Sequence, residues 1–423
     1  MYFPPIFKTM AADCIVTLLL SLLLLCLVTP CTSTEFDAVI EADEHGALHL
    51  NTTGPGVQPV LLNGHNVVDV LTQQQGTLSQ QQELIASQGN RIAALQQRLC
   101  DLHPQRLGKL PGAGTDQAKW AGGVLAPNGL IYGVPAKATS ILIVNPTTNT
   151  LDTTTITGLP ASDYKWFGGV LAPTSNIIYC FPSHANSVLR IDPATNTADW
   201  TTIATLDTSQ NKFKGNVLGN NGLIYGIPYV ARFVLIVDPA TNGTDTIQLP
   251  SGNNEQWWGG AVVPDGRIFC TPFVGGTVLI IDPATKAIDL TSITGVSDDA
   301  ANWANFVLAR NGWLYAAPFV ADTTLVVDPA TNTAHQALLP GLGTSQAWFG
   351  AVLSANGKVL APSWNADTVL ALDVSVRASP TATTISGVGP GNDKYQGAVL
   401  AGNGLVYFIP YSADRVLVVG SGC

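Results

Sequence analysis

One unit is written seven times in this chain, and that period constrains the fold more than any other feature. The unit reads aromatic, any residue, glycine (asparagine once), an apolar strand, a glycine turn, a second strand ending in proline, a third strand, and then Asp-Pro-Ala-Thr-Asn. The leading aromatics are Trp120, Trp166, Phe213, Trp257, Trp303, Trp348 and Tyr395. The strand-ending prolines are Pro135, Pro182, Pro228, Pro272, Pro318, Pro362 and Pro410, spaced 47, 46, 44, 46, 44 and 48 residues apart.

The first copy shows what a unit contains. Gly123–Ala126, Leu130–Val134, Ile141–Val144 and Leu151–Ile156 are four short apolar runs, with Asn128-Gly129, Pro135 and Asn145-Pro146-Thr147-Thr148-Asn149 as the turns between them. Four-stranded units of this length, repeated seven times, predict an all-β seven-bladed β-propeller over residues 103–423. The seventh copy stops after its third strand, Arg415–Val419. Arg106–Pro111 resembles the end of a fourth strand and is expected to complete that last blade, closing the ring from the N-terminal side.

Only 11% of the residues are charged and 46% are hydrophobic, which is too apolar for a disordered chain. The net charge of −10 argues against a nucleic-acid partner. The first 104 residues carry −6 of it, so the repeats are nearly neutral and make no strong steering field.

Residues 1–33 read as a signal peptide. An apolar run from Cys14 to Val28 is shorter than the roughly 20 residues a membrane-spanning helix needs and is followed by small residues. Retention as a type II anchor is the alternative. Asn51-Thr52-Thr53 and Asn242-Gly243-Thr244 are glycosylation sequons that fit a secreted or cell-surface chain. Residues 34–65 form a small acidic, β-like segment. In 66–102, Leu71, Leu78, Ile85, Ile92 and Leu99 recur every seven residues, predicting a helical coiled-coil stalk and a homo-oligomer. Its second seam is glutamine-rich (Gln74, Gln81, Gln88) and leaves the oligomer number open.

Of the cysteines beyond the leader, Cys180 and Cys270 fall in the second strands of blades two and four, with a blade between them, and are expected to be buried free thiols. Cys100 and Cys423 would meet where the ring closes and are expected to form a disulfide.

The loops approaching strand one and leaving strand two share one propeller face. They bring together Lys119, Trp120, Lys165, Trp166, Lys212, Trp257, Trp303, Trp348, Lys394 and Tyr395 from the approach side. Tyr229, Phe273, Phe319, Trp364 and Tyr411 come from the exit side. Flat rings beside hydrogen-bonding groups suit sugars, and aromatics with cations also suit protein partners. Two catalytic or ionic combinations can be drawn on this face: His184 with Asp163 as an acid–base pair, and Asp322 with Asp414 around an ion. Neither comes with a positioned nucleophile or a ligand cluster, and no metal or cofactor is expected. The Asp-Pro-Ala-Thr turns at Asp192, Asp238, Asp282 and Asp328 are read as self-capping turns rather than metal loops.

Units such as Val234-Leu235-Ile236-Val237-Asp238-Pro239-Ala240-Thr241-Asn242, preceded by Asn-Gly-Leu-Ile-Tyr, resemble the YVTN and NHL-type propellers of secreted and surface proteins. The YVTN tetrapeptide itself is replaced by Tyr-x-x-Pro. The resemblance implies an architecture and a surface location, and no activity. The expectation is therefore a binding protein for extracellular glycan or a surface protein, using the channel-entrance face. A structural matrix component, or a propeller enzyme of the lyase or hydrolase type, is the alternative.

Overall fold

The computed structural model describes residues 38–42, 48–52, 61–62, 65–102, 106–204, 209–251, 256–297, 301–342 and 346–420. The leader 1–33 and Cys423 lie outside them, and with Cys423 the Cys100–Cys423 pairing. Among the described residues no helix is long and apolar enough to cross a membrane.

The N-terminal unit runs to Arg91. It holds a hairpin of Ala38–Ala42 with Leu48–Thr52, which carries Asn51, and a short pair of Leu61–Leu62 with His65–Asn66. A helix, Val67–Leu102, follows. Leu71, Leu78 and Ile85 of the heptad seam are exposed along it, Ile85 to 68%.

The second unit, from Ile92 onward, is the propeller. Its seven sheets have four antiparallel strands each. Blade one is typical: Trp120–Leu125, Ile131–Pro135, Leu142–Asn145 and Thr150–Asp152 pair in sequence order. In blade seven the fourth position is filled by Arg106–Pro111, which pairs with Arg415–Gly420 from Arg415↔Pro111 to Gly420↔Arg106. That strand is more than 300 residues away in sequence from its neighbour on the sheet, so the ends of the ring are joined by backbone hydrogen bonds rather than by contact alone.

Apolar clusters fill the spaces between adjacent blades. Ile143, Tyr132 and Val134 of blade one meet Trp166, Ile178 and Cys180 of blade two. Ile131 and Leu142 meet Tyr407, Ile409 and Val416 of blade seven. Cys180 and Cys270 are both free and buried within such clusters, and desolvation pushes their thiols up in pKa. They pack as small hydrophobes.

A polar latch runs around the outside of these clusters. In the Asp-Pro-Ala-Thr-Asn turn the aspartate accepts the backbone N–H two residues on, as from Ala194 to Asp192 at 2.8 Å and from Ala240 to Asp238 at 2.9 Å. The closing asparagine takes positive φ, 52° at Asn196 and 58° at Asn242, a conformation that asparagine tolerates better than most residues. Its Oδ1 accepts the hydroxyl of a tyrosine from the preceding blade: Tyr132 to Asn196 at 2.7 Å and Tyr179 to Asn242 at 3.1 Å. In blade four Lys286 replaces the asparagine and reaches back to Asp245 of blade three at 2.5 Å instead. A second self-capped turn repeats as Asp-x-Thr-Thr/Ser. Asp152 and Asp289 accept from the two hydroxyl residues that follow, and these bonds hold both carboxyls down near about 2.

Candidate functional site

Approach and exit loops do share one end of every blade. Trp120 pairs with Pro135, Trp166 with Pro182, Phe213 with Pro228, Trp257 with Pro272, Trp303 with Pro318 and Tyr395 with Pro410. Each approach loop is stitched to the exit loop of the blade before it. Lys165 N donates to Ala136 O (3.0 Å), Ala347 N to Phe319 O (2.9 Å) and Lys394 N to Trp364 O (3.0 Å). Across the seam of the ring, Lys119 N donates to Tyr411 O (2.7 Å).

The repeated aromatics are core, which corrects their reading as a ligand-facing ring. Trp120, Trp166, Trp257, Trp303, Trp348 and Tyr395 are all buried. Five indoles are pinned inside their own blade, Nε1 donating to Ser140 O, Ser187 O, Thr277 O, Thr323 O and Thr368 O at 2.7–2.9 Å. A ring held by a bond of this kind and enclosed by the preceding blade has no face left for a ligand.

The four approach-loop lysines are likewise corrected from ligand-binding to structural. Lys119, Lys165, Lys212 and Lys394 are buried, Lys165 completely. Their ammonium groups donate to backbone carbonyls of their own loop: Asp116 O at 2.5 Å, Ser162 O at 3.1 Å, Ser209 O at 2.6 Å and Gly391 O at 2.5 Å. Lys165 and Lys394 also reach the preceding exit loop, at Ala136 O (2.9 Å) and Asn365 O (3.1 Å). Loop carbonyls that cannot meet water need donors, and a lysine supplies three. The burial brings Lys119 and Lys165 down to about 8.

The channel is lined instead by the residue after each aromatic, and by the next one. The first of these positions holds Ala121, Phe167, Lys214, Trp258, Ala304, Phe349 and Gln396. The second holds Gly122, Gly168, Gly215, Gly259, Asn305, Gly350 and Gly397, and every one has positive φ, from 59° to 118°. Strand one bulges here in six blades, with the register slipping across this pair. The glycines crowd one another about the axis. A Cβ on Gly168 would sit 2.8 Å from Gly215 Cα, and one on Gly397 would sit 2.8 Å from Gly122 Cα. Only glycine allows that approach, and Asn305 is the one side chain in the ring, its amide lying over Gly259.

Above this constriction is a cavity of about 60 Å³, lined by Phe167, Lys214, Trp258, Asn305, Phe349 and Gln396 with the glycine backbone. That is room for a few waters or one small charged group. Around its mouth the rings touch in a continuous series. Phe167 meets Trp258 (6.1 Å between centroids), Trp258 meets Phe349 (4.8 Å), Phe349 meets Trp364 (5.0 Å) and Trp364 meets Tyr411 (5.1 Å). Tyr229, Phe273 and Phe319 extend the same cluster. Phe273, Phe319 and Tyr411 are nearly covered, whereas Tyr164, Tyr229, Trp258 and Trp364 are half-buried and present ring surface to solvent.

Lys214 is the one charged side chain in the cavity wall and only 5% exposed. Its Nζ lies 3.7 Å from the Phe167 centroid, 5.1 Å from Trp258 and 5.8 Å from Tyr229. No hydrogen bond or ion pair reaches it among the described residues. Cation–π attraction contributes about 2 kcal/mol in a desolvated setting, against an effective burial cost of several kcal/mol per ion. The rings therefore do not offset the burial, and desolvation lowers Lys214 to about 7.

The other pairings drawn from sequence are not assembled. His184 bonds Asn211 Oδ1 at 3.2 Å and packs edge-on against Tyr164, while Asp163 pairs with Lys137 at 3.1 Å. Asp414 is taken by Arg415 (2.5 Å). The cavity residues were missed because they share no residue type. Their signal is the converse of the aromatic's: the position beside the repeated ring holds five residue types in seven blades.

The fold has solved counterparts. Virginiamycin B lyase from Staphylococcus aureus superposes with a TM-score of 0.63 at 13% identity over 74% of this chain and 99% of that one. A streptogramin B lyase gives 0.61 at 12% identity over 74% and 97%. The extracellular domain of a putative one-component system from B. thetaiotaomicron gives 0.56 at 11% identity, covering 74% of this chain and 40% of that chain. Identities this low establish the shared propeller fold alone. No family model matches the chain, so the likeness to YVTN and NHL propellers remains one of repeat pattern. No curated protein matches the sequence.

Proposed function

We propose that this protein is an extracellular binding protein that recognises a glycan at the mouth of the propeller channel. The observation that carries this reading is the set of half-buried rings, Tyr164, Tyr229, Trp258 and Trp364, around a narrow polar-floored cavity. Flat apolar faces next to amide and ammonium groups match the C–H faces and hydroxyls of a sugar ring. A protein partner needs roughly 800 Å² per side, and a mouth built around so small a hollow favours a ring-sized ligand. That fold neighbours include an extracellular domain agrees with a location outside the cell.

The exposed heptad seam of Val67–Leu102 supports self-association through the helix, which would raise avidity for a repetitive glycan. The enzyme alternative has less support, since His184 and Asp163 each have other partners. The test is a glycan array and tryptophan-fluorescence titration with the purified ectodomain. Saturable binding that is lost in Trp364→Ala supports the reading; no binding to any saccharide overturns it.

A further inference from the structure

The carbohydrate reading leaves one group without a role. Among the described residues Lys214 is a buried cation that no carboxylate or carbonyl hydrogen-bonds, whereas the four approach-loop lysines each donate to a carbonyl. It stands in the wall of the cavity beside the glycine ring, with the carboxamides of Gln396 and Asn305 in the same wall. Those amides can donate as well as accept. Among the described residues no acidic side chain lines the cavity. A site with one unanswered positive charge, two amide donors and room for a single small group is complementary to an anion of that size.

We propose that this cavity is a carboxylate site, in which Lys214, Gln396 and Asn305 receive the carboxylate of an acidic sugar whose ring rests on Trp258 and Trp364. The body of the ligand rests on the glycan reading above; the charged group does not. A uronate fits both halves, with one flat ring and one carboxylate projecting from it. The crowded glycine backbone forms part of the cavity wall, so the carboxylate is placed entering from the side of the aromatic rings.

Proton linkage follows from the same geometry. The carboxylate needs Lys214 charged, and burial leaves that amine partly neutral near pH 7. The other titratable groups facing it are His184 and Tyr229. Burial lowers the first and raises the second, so above about pH 7 both are neutral and hold no charge that would mask the lysine. Binding should therefore take up a proton and weaken as pH rises from about 6 to about 9.

The experiment is a fluorescence and calorimetric titration of the full chain with three probes: methyl β-D-glucuronide, methyl β-D-glucoside and acetate. The expected result is about tenfold tighter binding of the glucuronide than the glucoside near pH 6.5, with that preference abolished in Lys214→Met. On the unmutated protein the preference should shrink towards pH 9, which keeps the test independent of how the variant folds. Equal affinity for the two sugars overturns the carboxylate site and leaves the glycan reading standing. Saturable acetate binding that needs Lys214, with neither sugar bound, supports the carboxylate site and overturns the glycan reading. Binding of none of the three overturns both.

Discussion

The Lys214 ammonium lies 3.7 Å from the centroid of Phe167, a ring contributed by the neighbouring blade. A cation in van der Waals contact with a phenyl face, and with no ion pair among the described residues, is an arrangement that folding alone does not favour. Its cost should be visible in how the protein melts.

Stability should rise with pH between about 7 and about 10. Folded Lys214, Lys119 and Lys165 release their protons near about 7, 8 and 8, whereas the unfolded chain holds them up to the ordinary 10.5. The unfolded state then binds more protons across that window, so raising pH favours the fold. Above it the slope reverses, because burial keeps Tyr395 and Tyr411 protonated after unfolded tyrosine has ionised. Lys214→Met should stabilise the fold most at or below pH 7, by on the order of a few kcal/mol, with a matching rise in melting temperature, and hardly at all near pH 10. Calorimetric melts at a series of pH values check this; a pH-independent gain would be evidence against a charged, unanswered Lys214.

Two tryptophans should separate binding from folding. Trp364→Ala removes a half-buried ring at the mouth and should abolish saccharide binding with little change in the melt. Trp166→Ala removes a ring that is 1% exposed and hydrogen-bonded to Ser187 O, and should cost about 3–5 kcal/mol. Denaturant titrations of both variants, read beside the binding curves, make the comparison.

The glycine ring should be intolerant of a methyl group. Gly168→Ala combines a φ of 68° with a Cβ 2.8 Å from the backbone of Gly215, and should destabilise by about 1–3 kcal/mol. Gly129→Ala has a φ of 80° with nothing within 4 Å, and should cost about 1 kcal/mol. The difference between the two urea midpoints measures the close approach itself.

The tyrosine–asparagine latch should contribute to blade association. Tyr132→Phe removes the hydroxyl donated to Asn196 at 2.7 Å and leaves Asn196 Oδ1 short of a donor. A loss of about 1–2 kcal/mol is expected in equilibrium unfolding. Asn242 serves as the same latch for Tyr179, so Asn242→Ala should destabilise even in unglycosylated protein expressed in bacteria.

Self-association should depend on the exposed heptad seam. A Leu78→Glu, Ile85→Glu double variant is expected to sediment as a monomer at concentrations where the parent chain sediments as an oligomer. An unchanged sedimentation coefficient would remove the helix as the oligomerising element.

Most of the architecture was legible because it is repeated. Seven aromatics, six glycine turns with Asn176 in the seventh, and seven prolines mark strand ends without any need for long-range information. Function was harder to read, because repetition points to the wrong residues. An aromatic demanded in every blade, such as Trp166 or Trp257, is the one packing needs. Lys119, Lys165, Lys212 and Lys394 look like a surface row in the sequence, yet loop carbonyls bury them. Lys214, two residues beyond Lys212, differs in making no hydrogen bond to a carbonyl among the described residues, and nothing local distinguishes the two.

By itself, then, the sequence determined the number of blades, their strands and the chemistry of their turns, since each is set within one unit of the repeat. Only the tertiary structure decided which residues face the axis. Closing the ring brings the bulged position of every blade to one centre, so Phe167, Lys214, Trp258, Asn305, Phe349 and Gln396, drawn from six different blades, share one cavity. That meeting depends on the curvature of the whole ring, which no segment of the chain encodes alone.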